Sequence, residues 1–253
     1  MANRILVVGG NAAGMTAASR AKRLDPSLAV AVLEAGPRIA YSICGLPFAV
    51  AGLVRVEELE LFTPESLKNE RGIEAFVNRE ALEIEIARKR VIVLNRATGE
   101  HELHLYDKLL LATGYRPRTP SIEGTGLAGV FTASRLEAGE RILSSLSSAR
   151  RAVILGGGYV GLEMAEALLE RGLEVTLVER AASLLPSLDP EMARPLEEEL
   201  ERKGARVMTG RAAKRIAGTS AGRLEAVELE AGGLRLPADI VFVDIGVAPR
   251  TEL

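Results

Sequence analysis

Cys44 is the only cysteine in the chain, and it sits in Ile39-Ala40-Tyr41-Ser42-Ile43-Cys44-Gly45-Leu46-Pro47-Phe48. The flanking Ser, Gly and Pro are residues of a shaped loop rather than of a core strand. A lone thiol either packs as a small hydrophobe or works as a thiolate. If Cys44 opens a helix running from Leu46 to Ala51, the positive end of that helix favours the thiolate. Without a second cysteine, any redox cycle at this sulfur runs through a mixed disulfide with a small thiol or through a sulfenic acid. A second kind of chemistry is written in two glycine turns, Gly9-Gly10-Asn11-Ala12-Ala13-Gly14 and Gly156-Gly157-Gly158-Tyr159-Val160-Gly161. A dinucleotide site needs one glycine for the sharp exit from a strand, one that lets the backbone approach the pyrophosphate, and one for close helix-on-strand contact. Gly156, Gly158 and Gly161 supply all three; in the first turn Gly9 and Gly14 fit, and Asn11, a residue that tolerates unusual backbone angles, holds the middle place.

Each turn has the acid that such a site requires. Glu34 lies twenty residues past Gly14, and Glu179 holds the corresponding place in the second half. At the end of a second strand such a carboxylate accepts hydrogen bonds from adenosine ribose hydroxyls; the alternative is a solvated side chain at a strand end. Glu179 repels a 2′-phosphate and so favours NADH over NADPH, while the adjacent Arg180 acts the other way. No residues have metal-ligand spacing. His101 and His104 fall on an expected meander strand and are expected to be exposed.

The elements that must position these residues are legible as a duplication. Arg4 to Val8 reads as a buried strand, Met15 to Leu24 as a helix ended by Asp25-Pro26, and Leu28 to Leu33 as the next strand. The plan returns with Ala152 to Leu155, Leu162 to Arg171 and Glu174 to Val178. Tyr106-Asp107 followed by Lys108 to Gly114 is echoed by Ala238-Asp239 followed by Ile240 to Gly246, each an Asp, an apolar strand and Gly-x-x-Pro. Before each comes a stretch of period-two alternation, residues 82–105 and 223–236, expected to form small antiparallel meanders over the back of a parallel sheet. The fold class is therefore α/β, with two Rossmann-like units, each a parallel sheet plus a meander. The Pro-, Gly- and Ser-rich stretch from Arg116 to Arg150 is expected to contain the joint.

Bulk properties agree. A chain of 253 residues favours two cores. A formal net charge of −2, with both signs interspersed, gives no footprint for nucleic acid or an anionic membrane. No apolar run reaches the length of a membrane span, and Ile5 to Val8 follows the start without a charged leader. The expectation is a cytoplasmic protein whose partners are small molecules.

The paired turns, Leu110-Leu111-Ala112-Thr113-Gly114 and above all Ser42 to Phe48 resemble the single-cysteine pyridine nucleotide-disulfide oxidoreductases, the group of coenzyme A disulfide reductases, NADH oxidases and NADH peroxidases. The resemblance implies FAD at residues 1–115, held by Gly9 to Gly14, Glu34, Ser42 and Ala112 to Gly114, and NADH or NADPH at residues 116–246, held by Gly156 to Gly161 and Glu179. It implies that hydride passes from the nicotinamide to the flavin and electrons then pass to a mixed disulfide of Cys44, the nucleophile. Tyr159 resembles the aromatic that covers the flavin, and Glu163 the acid that contacts the nicotinamide carboxamide. Ala49 stands where two-cysteine relatives carry their second cysteine, and Ala12 where peroxidases and water-forming oxidases place a histidine. Cys44-Gly45-Leu46-Pro47-Phe48 resembles the coenzyme A disulfide reductase branch. Thr16, Arg20 and Arg23 share one helix face and are candidate contacts for coenzyme A phosphates, or a solvated basic face. Relatives continue past Gly246, returning to the FAD domain and adding a dimerisation domain, so residues 247–253 are expected to begin that return. The expected activity is FAD-dependent, NAD(P)H-driven reduction of coenzyme A disulfide or a similar disulfide by a homodimer. The alternatives are an NADH oxidase and a truncated nucleotide-binding fragment without catalysis.

Overall fold

The computed structural model describes residues 3–132, 135–230 and 232–253. Continuous apolar runs demand sheets covered on both faces, and the chain forms two such sheets in two separate units. The first unit takes the described residues up to Ser42, then Glu57–Tyr115 and Pro249–Leu253; the second takes Ile43–Val56 and the described residues between Arg116 and Ala248.

In the first unit a four-stranded parallel sheet has the order Ile73–Phe76, Ala29–Leu33, Arg4–Val8, Lys108–Leu111. Side chains alternate between its faces. Val7, Val30 and Val32 pack with Met15 and Ala18 of helix Ala12–Leu24, whereas Leu6, Val8, Ala31 and Leu33 pack under Val91 and Val93. Those two valines belong to an antiparallel meander of Arg79–Glu85, Arg90–Asn95 and His101–Leu105. His101 and His104, three residues apart, face opposite ways, so only His101 is exposed. His104, expected at the surface, is 8% exposed, edge-on to Phe76, with Nε2 3.2 Å from Glu102 Oε2.

The second unit repeats the plan with a five-stranded parallel sheet ordered Arg206–Met208, Glu174–Val178, Arg151–Leu155, Ile240–Val243, Val130–Phe131. Its meander, Ala213–Gly218, Leu224–Leu229 and Arg235–Pro237, buries Ile216, Val227, Leu229 and Leu236 against Val153, Leu155, Val178, Val241 and Val243. The stretch read as a joint is more than a connection: it contains strand Val130–Phe131 and helix Leu136–Leu146. The meander also starts ten residues earlier than its alternation suggested, because Ala213-Lys214-Arg215 lacks an apolar period. The echoed aspartates have a structural task. Asp107 Oδ2 accepts the Arg4 N–H at 2.7 Å, and Asp239 Oδ2 accepts the N–H groups of Arg150 and Arg151 at 3.0 and 2.9 Å, pinning the start of each central strand.

Residues Ile43–Val56, read from the sequence as part of the first unit, pack with the second. Helix Leu46–Ala51 lies on helices Leu136–Leu146 and Tyr159–Glu170. At Gly139 a Cβ would overlap the Leu46 side chain, so the small residue permits the approach. Gly52 ends the helix in the left-handed region at φ +85°. The last carbonyls of a helix lack internal partners; here Arg171 Nε donates to Val50 O at 2.6 Å and Nη2 to Ala49 O at 3.4 Å. A cation at this end also complements the helix dipole. Arg171→Ala is expected to lower stability by about 1–2 kcal/mol and to accelerate amide hydrogen exchange selectively in residues 46–53. Unchanged exchange there would show that the cap is dispensable.

Candidate dinucleotide-binding turns and the single thiol

In each turn the first and last glycines answer to the protein's own backbone. Gly9 and Gly156 leave their strands at φ +110° and +113°, angles that L side chains avoid. A Cβ at Gly9 would also overlap the carbonyl oxygen of Ala112, and one at Gly156 that of Asp244. At Gly14 and Gly161 a Cβ would overlap the carbonyl oxygens of Gly9 and Gly156, the helix-on-strand contact. The middle position is different. Asn11 (φ −115°, ψ −156°) and Gly158 (φ −79°, ψ −175°) are both extended, so Asn11 needs no unusual backbone angle. A Cβ on Gly158 would meet only Asp244 Oδ2, at an ordinary 3.5 Å. Smallness at position 158 is therefore unused by the fold and available to whatever approaches from outside.

Glu34 and Glu179 do what the sequence did not reveal: each latches its turn. Glu34 Oε2 accepts the Gly10 N–H at 2.9 Å and Oε1 the Gly36 N–H at 2.7 Å. Glu179 Oε2 accepts the Gly157 N–H and Oε1 the Ala181 N–H, both at 2.6 Å. A carboxylate has about four lone-pair sites, so two remain for outside donors. Gly10 and Gly157 are held closely, since a Cβ would fall 2.6 Å from Ile39 Cγ1 and 2.7 Å from Leu184 Cδ2 respectively.

Beyond the glycines the helices begin. Ala12 and Ala13 open helix Ala12–Leu24, and Tyr159 and Val160 open helix Tyr159–Glu170; neither has an acid in its first turn. The unpaired N–H groups and dipole of such an end favour an anion. Ala112 N–H donates to Val8 O at 2.8 Å, Thr113 Oγ1 donates to Arg250 O at 2.7 Å, and Gly114 O accepts the Arg250 N–H at 3.0 Å. These contacts tie Ala112 to Gly114 to the first turn and to the last residues of the chain. Asp244, in the place of Ala112 in the second unit, was not singled out from the sequence. Its Oδ2 accepts the Gly161 N–H at 3.1 Å. Burial raises the Asp244 pKa, partly offset by that N–H. Glu163 is raised by desolvation first and by the charge of Asp244 second. The comparison of the two echoes, Ala against Asp at the mouth of a glycine turn, was the signal that could have found it.

The remaining sequence-predicted residues are placed as follows. Cys44 is exposed, which removes the core-packing alternative. It does not open the helix: it lies in the 3-10 turn Ile43–Gly45, with Gly45 as the cap of the six-residue helix Leu46–Ala51. Ser42 donates its N–H to Leu59 O at 2.8 Å, within the first unit. Thr16, Arg20 and Arg23 are exposed on helix Ala12–Leu24, away from its buried Gly14, Met15 and Ala18. Among the described residues no cluster of His, Cys, Asp and Glu could hold a metal ion, and no helix is long and apolar enough to cross a membrane.

Residues 3–253 match the pyridine nucleotide-disulphide oxidoreductase family. The chain is 36% identical over 256 residues to an NAD(P)H coenzyme A polysulfide/persulfide reductase of Pyrococcus horikoshii, covering 100% of this chain and 56% of the relative. It is 34% identical over 254 residues to an NADH oxidase of Methanocaldococcus jannaschii, covering 99% and 56%. Its fold superposes on an NAD-dependent persulfide reductase from A. fulgidus with a TM-score of 0.94 and 36% identity, covering 99% of this chain and 47% of the other. The chain thus spans about half the length of these relatives. With the match extending over residues 3–253, both duplicated turns included, the chain belongs to the pyridine nucleotide-disulphide oxidoreductase family.

Proposed function

We propose that this chain carries the two dinucleotide sites and the redox thiol of an FAD-dependent NAD(P)H oxidoreductase that reduces coenzyme A disulfide or a similar low-molecular-weight disulfide. The observation that carries the reading is the repetition of one latched turn, Gly9 to Gly14 with Glu34 and Gly156 to Gly161 with Glu179. One turn serves a resident nucleotide and the other a cosubstrate. The first turn fits FAD: a helix end without an acid lies beside a strand-end carboxylate that has acceptor capacity to spare. FAD bound there supplies a two-electron relay between nicotinamide and sulfur.

The residues of the chain divide the remaining work. Gly9, Gly10, Asn11, Ala12, Ala13, Gly14 and Ala112 to Gly114 hold the resident pyrophosphate, and Glu34 its adenosine ribose; Ser42 belongs to the same site. Gly156, Gly157, Gly158, Val160 and Gly161 present the second helix end to NADH or NADPH, and Glu179 receives the ribose. Tyr159, 63% exposed at the start of its helix, covers the nicotinamide position until the cosubstrate arrives, and Glu163 orients the carboxamide. The Cys44 thiolate attacks one sulfur of the substrate disulfide, breaking that S–S bond, forming a mixed disulfide and releasing one thiolate that takes a proton from water. Two-electron reduction of the mixed disulfide releases the second thiol and restores the Cys44 thiolate. Thr16, Arg20 and Arg23 are assigned to the phosphates of coenzyme A. The assembly is a homodimer and the compartment the cytoplasm.

A second reading, NADH oxidation by oxygen, draws support from the relative named NADH oxidase. Ala12, a methyl in the first turn, offers no acid or base for peroxide chemistry. The chain supplied with FAD is expected to show oxidised-flavin absorption that bleaches on anaerobic addition of NADH. Cys44→Ser should keep the bleaching and lose NADH consumption driven by coenzyme A disulfide. A colourless protein that takes up no FAD would overturn the proposal, and consumption that follows oxygen and ignores the disulfide would select the second reading. The glycines give an independent check. Gly156→Ala should destabilise the fold by about 3 kcal/mol or more, whereas Gly158→Ala should melt like the parent and bind NADH about tenfold more weakly. Parent-like NADH affinity in Gly158→Ala would show that no ligand uses that space.

A further inference from the structure

The two turns share a backbone and differ in one charge. The residue whose carbonyl oxygen abuts the first glycine is Ala112 in the first unit and Asp244 in the second. The Asp244 carboxylate is partly buried beneath the second turn, accepts the N–H of Gly161 at 3.1 Å, and lies 3.5 Å from where a Cβ on Gly158 would stand. It thus occupies one of the donors at the start of helix Tyr159–Glu170 and sits under the glycine whose smallness the fold leaves unused. The titratable group facing it in the second unit is Glu163, on that helix, whose own pKa the Asp244 charge raises after desolvation. It carries the same sign as Asp244. Among the described residues no cation acts on the Asp244 carboxyl: burial raises its pKa and the Gly161 N–H partly offsets that.

A helix N-terminus attracts a phosphate through its free N–H groups and its dipole. A carboxylate bonded to one of those N–H groups cancels part of that attraction and repels a second anion in a poorly screened setting. We propose that Asp244 sets the affinity of the second turn for dinucleotides: its charge opposes the cosubstrate pyrophosphate, so that the nucleotide held there exchanges, while Ala112 leaves the first turn at full strength for a resident nucleotide. This inference rests on the second turn being the NAD(P)H site. Protonation of Asp244 removes the opposing charge, so binding tightens as pH falls through its titration, and burial moves that titration upward from the ordinary carboxylate range.

The test is a fluorescence titration with NADH between pH 5 and 8, on the full chain and on Asp244→Asn, whose amide oxygen still accepts the Gly161 N–H. At pH 8 the variant is expected to bind NADH roughly three- to tenfold more tightly, and any rise in affinity toward acid pH in the parent should flatten in the variant. Equal or weaker binding by a variant that melts like the parent overturns the inference, as does an acid-side rise that persists in Asp244→Asn, which would assign it to Glu163. Should that variant fail to fold, Asp244→Ala, the residue the first unit carries at this place, decides: NADH binding no tighter than the parent's at pH 8 overturns the inference. A parent that binds no NADH at any pH overturns both this inference and the assignment of the second turn. NADH binding that is indifferent to Asp244→Asn overturns this inference only.

Discussion

The structure hangs on a close approach of backbone to backbone. In both units the strand that leads into the nucleotide turn ends in a glycine whose absent side chain is replaced by a carbonyl oxygen, of Ala112 in one case and of Asp244 in the other. That carbonyl comes directly after the parallel strand next door, so the strand cannot lie there if the turn carries a Cβ. Positive φ at the same residue sends the chain into the helix whose third glycine closes on the first. One constraint therefore couples strand, turn, helix and partner strand, and the geometry of the turn follows from packing.

Around this contact each unit uses the same auxiliary devices. A carboxylate at the end of the second strand fastens the turn through two backbone N–H groups, and an aspartate before the flanking strand fastens the start of the central one. Both are charge-to-backbone hydrogen bonds, stronger than neutral ones; the glutamate bonds are half-buried and the aspartate bonds lie at the surface. The parallel sheets require cover on both faces, which helices give on one side and the meander on the other. The two units depart from this common plan at two places, Asn11 against Gly158 and Ala112 against Asp244.

The thiol follows different physics. Cys44 stands on a 3-10 turn ahead of a helix too short to be stable alone, and that helix is held by Arg171 at its C-terminal carbonyls and by the Leu46–Gly139 contact. These partners lie more than ninety residues away in sequence, and all belong to the second unit. The position of the thiol is therefore set by tertiary packing and not by its local motif.

What the sequence by itself determined is what local chemistry dictates. Glycine spacing, apolar runs and strand-end acids specified both turns, both parallel sheets and helix Leu46–Ala51, because positive φ, side-chain alternation and helix termination are properties of residues and their near neighbours. Tertiary structure alone decided the rest. It turned Glu34 and Glu179 into latches and gave Asp107 and Asp239 their pinning role. It buried His104 while leaving His101 exposed, grouped Ile43–Val56 with the second unit, and set Asp244 beneath Gly158 and Gly161. Each of these depends on which backbone N–H or which sheet face a distant segment brings alongside, and no residue carries that information until the strands have paired.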